Sequence, residues 1–423
     1  MSGLSHSIID AKPGRRLRVL AVVELGSNWG HLLRLLPVVQ ALRSRGHEVL
    51  LAVPDVERAR QAFLGADVDI VACPSARRPG RHAPVSHYAE LLDQCVFGDG
   101  PTLERALAHW AELLAQRLPD VILTDFAPTA LFVAHLHRLP LVQMAIGWEA
   151  PPADRPLPIV SPWKPVDLHG MQALEAAMLA RLNGICARRV APPLASMSAL
   201  YSTGVQLLAT WPETDHFGPR TGATYIGPIY SADHGSPISW PDGAVDPKVK
   251  RVLIYLSPDP RNMMIVDSMR RSPVHAIAIL PKIGKAAIAR LASPRFQIRD
   301  QPVQLEPILQ DTDLVICNGG HGLTAASLLA GVPLLTLPRN VEQALAIRRL
   351  TEAGAMRSMM DSGGPRRCGQ LAHEMLFDSS ARRAAQAIAR KYAGSTQHRT
   401  ILSVVEGVER AHRSASERDT VNA

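Results

Sequence analysis

The sequence predicts an α/β protein built from two open, doubly wound parallel sheets in tandem. Three observations lead there. Short apolar runs alternate with amphipathic helical stretches across residues 17–209, and the alternation starts afresh across residues 251–337. Between the two series, residues 231–248 (SADHGSPISWPDGAVDPK) are polar, carry Pro and Gly and show no periodicity, as a linker does. At 423 residues the chain exceeds one ordinary core and suffices for two domains, each large enough to be stable alone.

The first series opens with residues 17–25 (LRVLAVVEL), an apolar strand that breaks into Gly26-Ser27-Asn28-Trp29-Gly30. His31 then opens a helix whose apolar face is Leu32, Leu33, Leu35, Leu36, Val39 and Leu42, and Gly46 ends it. Residues 49–53 return as the next strand. Gly26 and Gly30 are four apart and no GxGxxG is present, which excludes a dinucleotide fingerprint here. His31 stands just past the end of the first strand, where α/β proteins bind ligands. It is either a helix-capping or surface histidine or a base that takes a hydroxyl proton. His47, in the helix-to-strand connection at the opposite edge, reads as structural.

Residues 75–118 hold a basic loop (Arg77, Arg78, Arg81, His82), read as a solvated edge, and two helical stretches separated by residues 98–101. Residues 120–126 (DVILTDF) form a buried strand with Asp125 at its carboxyl end, on the same side as His31. A carboxylate there can hold an imidazole in one tautomer and stabilise its cation, or cap the helix that starts near Pro128. Residues 141–146 are a further strand. Residues 147–165 (GWEAPPADRPLPIVSPWKP) are too rich in proline for a regular element and form a loop over the same edge. Residues 172–200 are mostly helical with a break at Pro192-Pro193, and residues 205–209 close the sheet.

The second series has strands at residues 251–256, 276–280, 296–299, 314–317 and 334–337, with helices between. The fourth strand ends in Asn318-Gly319-Gly320-His321-Gly322, a segment with few side chains, whose amides can turn toward a ligand. Residues 324–330 follow as a helix stopped by Gly331. Such a turn aims the unpaired N–H groups and positive dipole end of the helix at the carboxyl edge of the sheet. That is an anion site, most often for phosphate, or else a Gly-rich βα turn with no ligand. After the next strand and Pro338, Glu342-Gln343 place two hydrogen-bonding side chains on the same edge.

Residues 313–343 resemble the donor-binding signature of nucleotide-sugar glycosyltransferases of the UDP-glucosyltransferase and macrolide-glycosyltransferase type. That signature runs His-x-Gly, a Gly- or Asn-containing turn, a helix, Gly-Val-Pro, an apolar strand, Pro, and an acidic residue followed by Gln. Gly320, Gly331-Val332-Pro333, Pro338 and Glu342-Gln343 fall in register with it. The opening strand, Gly30-His31 helix start and Arg45-Gly46-His47 connection, and Tyr225-Ile226-Gly227-Pro228 further on, resemble the same family. The resemblance covers most of residues 17–410 and implies the GT-B architecture, two Rossmann-like domains facing across a cleft. On this reading residues 1–230 bind the acceptor, 231–248 are the linker and 249–397 bind the nucleotide sugar. A helix over 398–413 crosses back to the first domain, and residues 414–423 are a disordered tail.

The resemblance further implies His31 as the acceptor-activating base, Asp125 as its orienting acid, and Trp148 and Trp163 as apolar walls for the acceptor. The donor-binding set it implies is Asn318, Gly319, Gly320, His321, Gly322, Leu323, Thr324, Glu342, Gln343 and Val303. The chain departs from the family pattern at several of these places. Asn318 replaces the signature His that meets the diphosphate, with an amide that can still donate. Leu323 replaces a frequent Ser or Thr, and Ala326 replaces the Glu that grips the ribose in many UDP-sugar users. Asp300 stands where plant enzymes stack a Trp on uracil, and Ser257-Pro258-Asp259-Pro260 is an unusual donor loop. The missing ribose carboxylate tilts the expectation toward a dTDP-sugar without excluding a UDP-sugar.

Composition narrows the rest. Aromatics are only 4% of the chain, which argues against stacking platforms and hence against a nucleic-acid partner. A net charge of +8 fits phosphate-bearing ligands and leaves room for peripheral membrane contact. The five cysteines are scattered with no CxxC, so neither a zinc site nor a disulfide framework is expected, and a reducing cytosol fits. No apolar run approaches the roughly 20 residues of a membrane span, and the N-terminus has no apolar signal core. The expectation is a cytoplasmic, metal-independent, inverting glycosyltransferase with no cofactor beyond the nucleotide sugar as co-substrate. Its acceptor is a hydrophobic small molecule or a lipid. Two rivals stand beside it: a nucleotide-sugar epimerase on the same architecture, and a catalytically silent homologue serving as a binding or partner subunit.

Overall fold

The computed structural model describes residues 15–26, 29–78, 83–230, 235–240, 249–360 and 363–422. Ser27, Asn28, Arg81, His82 and most of the expected linker lie outside them. The chain divides into two compact units. The first comprises Met1–Pro212, Pro219–Ile229 and Gln397–Ala423; the second comprises Glu213–Gly218 and Tyr230–Thr396.

The sheet of the first unit contains β1 (Arg18–Val22), β2 (Glu48–Val53), β3 (Asp69–Ala72), β4 (Val121–Thr124), β5 (Leu141–Ala145) and β6 (Val205–Leu208). All pairs are parallel, in the order β3-β2-β1-β4-β5-β6. Its helices are α1 (Trp29–Ser44), α2 (Val56–Ala62), α3 (Tyr88–Asp93), α4 (Gly100–Arg117), α5 (Pro128–His137) and α6 (Leu168–Arg188). The second unit repeats the plan. Its strands are β7 (Arg251–Tyr255), β8 (His275–Ile279), β9 (Phe296–Arg299), β10 (Leu314–Cys317), β11 (Leu334–Thr336) and β12 (Met356–Ser358), in the order β12-β11-β10-β7-β8-β9. They alternate with α7 (Pro260–Arg270), α8 (Lys285–Leu291), α9 (Glu306–Leu309), α10 (His321–Leu329), α11 (Val341–Glu352), α12 (Cys368–Phe377) and α13 (Ser379–Lys391). Both sheets therefore have the doubly wound order, and each reverses direction at one point, between β1 and β4 and between β7 and β10.

α14 (Gln397–Asn422) belongs to the first unit. Val404, Val405, Val408 and Ala411 join its core with Val19, Ala21, Leu35, Val38 and Leu123. The helix runs on through residues 414–422, where a disordered tail is expected from the sequence. The stretch contains neither Pro nor Gly to stop it, so the helix propagates from its packed first half. Glu409 on this helix meets His47 Nε2 at 3.3 Å, and His47 Nδ1 accepts from Leu17 N. His47 is structural.

Other departures are local. Gly100 and Pro101 open α4 behind the Asp99 cap instead of separating two helices. The donor-loop variant 257–260 is a capped helix start. Asp259 accepts from the amides of Arg261 and Asn262, and Pro260 takes the first helical position, where its missing N–H costs nothing. The described part of the linker packs on the second unit, with Ser236 bridged to Val303 and Trp240 Nε1 donating to Ile308 O. No helix among the described residues is long and apolar enough to cross a membrane.

One buried acid is part of this framework. α5 has no side-chain cap from its own N-cap residue, Ala127. Glu24, just past β1 and 2% exposed, reaches across to accept from Thr129 N at 2.7 Å and from Trp110 Nε1 at 3.2 Å. Burial raises its pKa from 4.5 to about 8. The folded chain thus holds a proton there that the unfolded chain releases. The stability Glu24 contributes is complete below pH 4.5 and is lost as pH rises toward 8. Urea denaturation of Glu24→Gln should show a smaller fall in stability between pH 5 and pH 8 than the native chain; an equal fall would place the ionisation elsewhere.

Candidate functional site

The reversal point of the first sheet collects four polar side chains. β1 leads into α1, which carries His31 in its first turn and Arg34 one turn on, on the same face. β4 leads into Asp125, whose amide still donates to Val22 O at 2.9 Å, so the ladder fixes the base of the side chain. Phe126 then turns with φ of 49°, and its carbonyl accepts from the amides of Glu24 and Leu25, tying the two strand ends together. β5 leads into the Pro-rich loop, which contributes Glu149.

His31 Nδ1 lies 2.8 Å from Asp125 Oδ1. Arg34 Nε donates to Asp125 Oδ2 at 2.8 Å, and its Nη2 donates to Asp125 Oδ1 at 2.5 Å and to Glu149 Oε1 at 2.9 Å. Glu149 Oε2 accepts from Ile146 N at 2.7 Å. Asp125 is fully buried, Arg34 and Glu149 are each 5% exposed, and the His31 side chain keeps 19% exposure. Burial alone would raise the pKa of the Asp125 carboxyl, but Arg34 and then His31 outweigh it and hold it below the usual carboxylate range. An ionised Asp125 only accepts, so the 2.8 Å contact puts a proton on Nδ1, and a neutral imidazole then keeps its lone pair at Nε2; Arg34 Nη2, 3.1 Å from the same nitrogen, gives its hydrogens to the two carboxylates. The helix-cap alternative for Asp125 does not hold, because Thr129 N goes to Glu24.

His31, Asp125 and Glu149 bring one ligand atom each within 4.8 Å of one another, a spacing that fits a metal ion. The Arg34 guanidinium donates to both carboxylates and already places one positive charge between them.

Gly26 fixes the ring from the other side. Its φ is +110°, and a Cβ there would come within 2.2 Å of His31 Cδ2 and 2.6 Å of Nε2. Phe126 stacks on the same imidazole, centroid to centroid 5.9 Å. Gly26→Ala should therefore displace the imidazole and, on the expectation that His31 is the base, lower turnover by about 10²-fold, the usual cost of misplacing a reacting group by about 1 Å. The check is transfer rate alongside nucleotide affinity, with only the rate expected to fall.

The Pro-rich loop treats its two tryptophans differently. Trp148 is 6% exposed and packs edge to face on Tyr88, with ring centroids 5.7 Å apart, while Trp163 is half exposed.

In the second unit the reversal point lies between the ends of β7 and β10. Gly319 has φ of +85°, and any Cβ there would meet Ile347 Cδ1 at 2.6 Å, so the turn requires glycine. Gly320 is the N-cap of α10 with no side-chain bond, and the helix starts at His321, three residues earlier than its apolar pattern indicates. Thr324 is 5% exposed, and its hydroxyl has no partner among the described residues. Leu323 is buried at 9% exposure and Gly322 lies against Tyr230. Asn318 does not point its donors outward. Nδ2 donates to Leu337 O at 2.7 Å and lies 3.4 Å from Asn262 Oδ1. Val303 is buried at 4% under the segment 235–240. Glu342 and Gln343 lie in the first turn of α11. Gln343 Oε1 accepts from Arg339 N while Asn340 Oδ1 accepts from Gln343 N, a reciprocal cap.

The sequence reading missed Arg34, Glu149 and Arg339. Arg34 interrupts the run Leu32-Leu33-Arg34-Leu35-Leu36 three residues after His31, which is itself a signal. Glu149 is the one acid beside Trp148 in an apolar stretch. Arg339 follows Pro338 at the end of β11, donates to Ser257 Oγ at 2.7 Å and keeps a half-exposed side chain.

Residues 18–146 match the family model for glycosyl transferase family 1. A PGL/p-HBAD biosynthesis glycosyltransferase of Mycobacterium tuberculosis is 26% identical over 333 residues, 72% of this chain and 74% of the relative. A PGL/p-HBAD biosynthesis rhamnosyltransferase of Mycobacterium bovis is 24% identical over 421 residues, 92% and 89% of the two chains. Among solved structures, the spinosyn rhamnosyltransferase SpnG superposes with a TM-score of 0.66 at 20% identity, over 92% of this chain and all of that one. It is also solved in complex with thymidine diphosphate and with spinosyn aglycone. The likeness to SpnG carries the GT-B fold. The family model and the curated relatives bear out the resemblance and the expectation of a glycosyltransferase.

Proposed function

We propose that this glycosyltransferase moves a sugar from a nucleotide-diphosphate donor to a hydroxyl of a hydrophobic small molecule or lipid, with inversion at the anomeric carbon. The observation that carries the reading is the 2.8 Å contact between His31 Nδ1 and the buried Asp125, which leaves Nε2 as the basic nitrogen. Nε2 takes the acceptor proton as the hydroxyl oxygen bonds to the anomeric carbon. The bond from that carbon to the diphosphate breaks, and the electron pair leaves with the nucleotide. Asp125 keeps the imidazole in the productive tautomer and faces the positive charge it gains.

Donor binding falls to the second unit. The amides at the start of α10 and the Thr324 hydroxyl meet the diphosphate, where the helix dipole favours negative charge. Asn318 has its donors engaged within the unit, so it shapes the turn, and Arg339 supplies the cation that the family's histidine would otherwise approximate. Glu342 meets the sugar hydroxyls, and Gln343, which also caps α11, lies beside it. Support for a dTDP-sugar comes from SpnG, solved with thymidine diphosphate, and for a small-molecule acceptor from the same protein solved with spinosyn aglycone. A silent binding subunit would have no use for a buried Asp–Arg–Glu cluster behind an imidazole, and an epimerase has no acceptor proton to remove.

With Ala326 buried on α10, no carboxylate waits for a ribose 2′-hydroxyl. Calorimetric titration should therefore find UDP and dTDP binding within about tenfold of each other. A preference for UDP of about a hundredfold or more would mean that another residue holds the ribose.

A further inference from the structure

Glu213–Gly218 is a six-residue segment whose neighbours on both sides, through Pro212 and from Pro219, belong to the first unit, yet it packs with the second. Its attachments are specific. Glu213 pairs with Lys391 and accepts from Tyr392 Oη at 2.5 Å. Arg349 donates to Phe217 O, and Gly218, with φ of +87°, lies so close that a Cβ would come within 2.9 Å of Arg349 Nη2. Asp215 closes the segment on itself, its carbonyl accepting from Gly218 N and its Oδ1 from Phe217 N, both at 3.0 Å.

The segment delivers one side chain to the donor residues. His216 Nε2 lies 3.0 Å from Glu342 Oε1, with the imidazole side chain fully buried and the carboxylate 23% exposed. A carboxylate only accepts, so Nε2 carries the proton and donates. His216 is the one hydrogen-bond partner of the Glu342 carboxylate among the described residues, and Oε2 accepts from none of them. α11 itself does not depend on this contact, because Asn340 and Gln343 cap it independently.

We propose that His216 is a positioning residue for sugar recognition, holding Glu342 by Oε1 so that Oε2 is presented to a hydroxyl of the donor sugar. The proposal rests on the assignment of Glu342 to the donor sugar. A glutamate in the first turn of a half-buried helix has several rotamers, and one fixed by a buried imidazole spends less of its freedom on binding. The bond joins residues 126 apart in sequence, one of them in a segment with no motif, so no local pattern announces it.

The test is the affinity that a sugar adds to a nucleotide diphosphate. Calorimetry would compare dTDP with dTDP-glucose and dTDP-rhamnose, and UDP with UDP-glucose, on the native chain and on His216→Ala, His216→Gln, Glu342→Ala and the His216→Ala/Glu342→Ala double variant. The native chain should bind the better sugar nucleotide about tenfold or more tighter than the bare diphosphate. His216→Ala should cut that increment to about threefold or less with dTDP affinity unchanged. His216→Gln, which places an amide N–H near the position of Nε2, should restore most of it. In the Glu342→Ala background, loss of His216 should change nothing further. An intact increment in His216→Ala, an equal loss of dTDP affinity, or additive losses in the double variant would each overturn the proposal. If Glu342→Ala itself leaves the increment intact, the donor assignment of Glu342 fails first and takes the proposal with it.

Discussion

His31→Ala is expected to abolish sugar transfer, by about 10³-fold or more, while leaving nucleotide-diphosphate affinity unchanged. The imidazole belongs to the first unit and every donor residue assigned here belongs to the second, so the substitution removes a base and no donor contact. Alanine at the first turn of α1 is compatible with the helix, and His31 keeps 19% exposure, so no large cavity opens. Removing the imidazole also leaves Asp125 held by Arg34 at two atoms, so the buried carboxylate stays satisfied and the fold survives. Calorimetry with dTDP and a transfer assay on the same preparation separate the two effects. Loss of dTDP binding together with turnover would give His31 a donor or structural role.

Arg34→Met should cost about 3–5 kcal/mol of stability, the range for removing one partner of a buried ion pair. Asp125 and Glu149 would both remain at 5% exposure or less with no cation between them. The pH dependence should change sign. In the native chain the depressed Asp125 contributes stability that is present above its ordinary pKa of 3.8 and lost as pH falls through its lower folded value. Without Arg34, burial becomes the governing influence on the Asp125 carboxyl and raises it, so the variant gains stability relative to the native chain as pH falls from 7 toward 5. Urea denaturation at pH 5 and pH 7.5 measures both effects. A loss below about 1 kcal/mol, or a loss independent of pH, would mean that the cluster does not act as a buried ion network.

The parts of the fold legible in the sequence are those with an apolar run long enough to count. Ten of the twelve strands announce themselves in this way, the edge strands β6 and β9 among them, whereas the other two edge strands do not. β3 is half exposed along its length and β12 is three residues with an arginine at its centre, so neither carries a burial signal. His31 and Asp125 were readable because each follows a recognisable strand, and the doubly wound order brings the ends of β1 and β4 side by side. Arg34 and Glu149 were not, because their roles depend on a packing contact between a helix, a strand end and a loop. Asn318 shows the reverse limit. Its position in the motif is plain, but the direction of its amide was decided by Leu337 O, which only folding places beside it. The segment 213–218 is the extreme case, since its neighbours in sequence lie in the other unit.

The central claim is that His31, held by Asp125, activates an acceptor for sugar transfer. Mass spectrometry of a host expressing the native chain, compared with the same host expressing His31→Ala at equal protein levels, tests it most directly. The expected result is a product heavier than its acceptor by one sugar residue, present with the native chain and absent with His31→Ala. The same product at undiminished yield from His31→Ala would contradict the account.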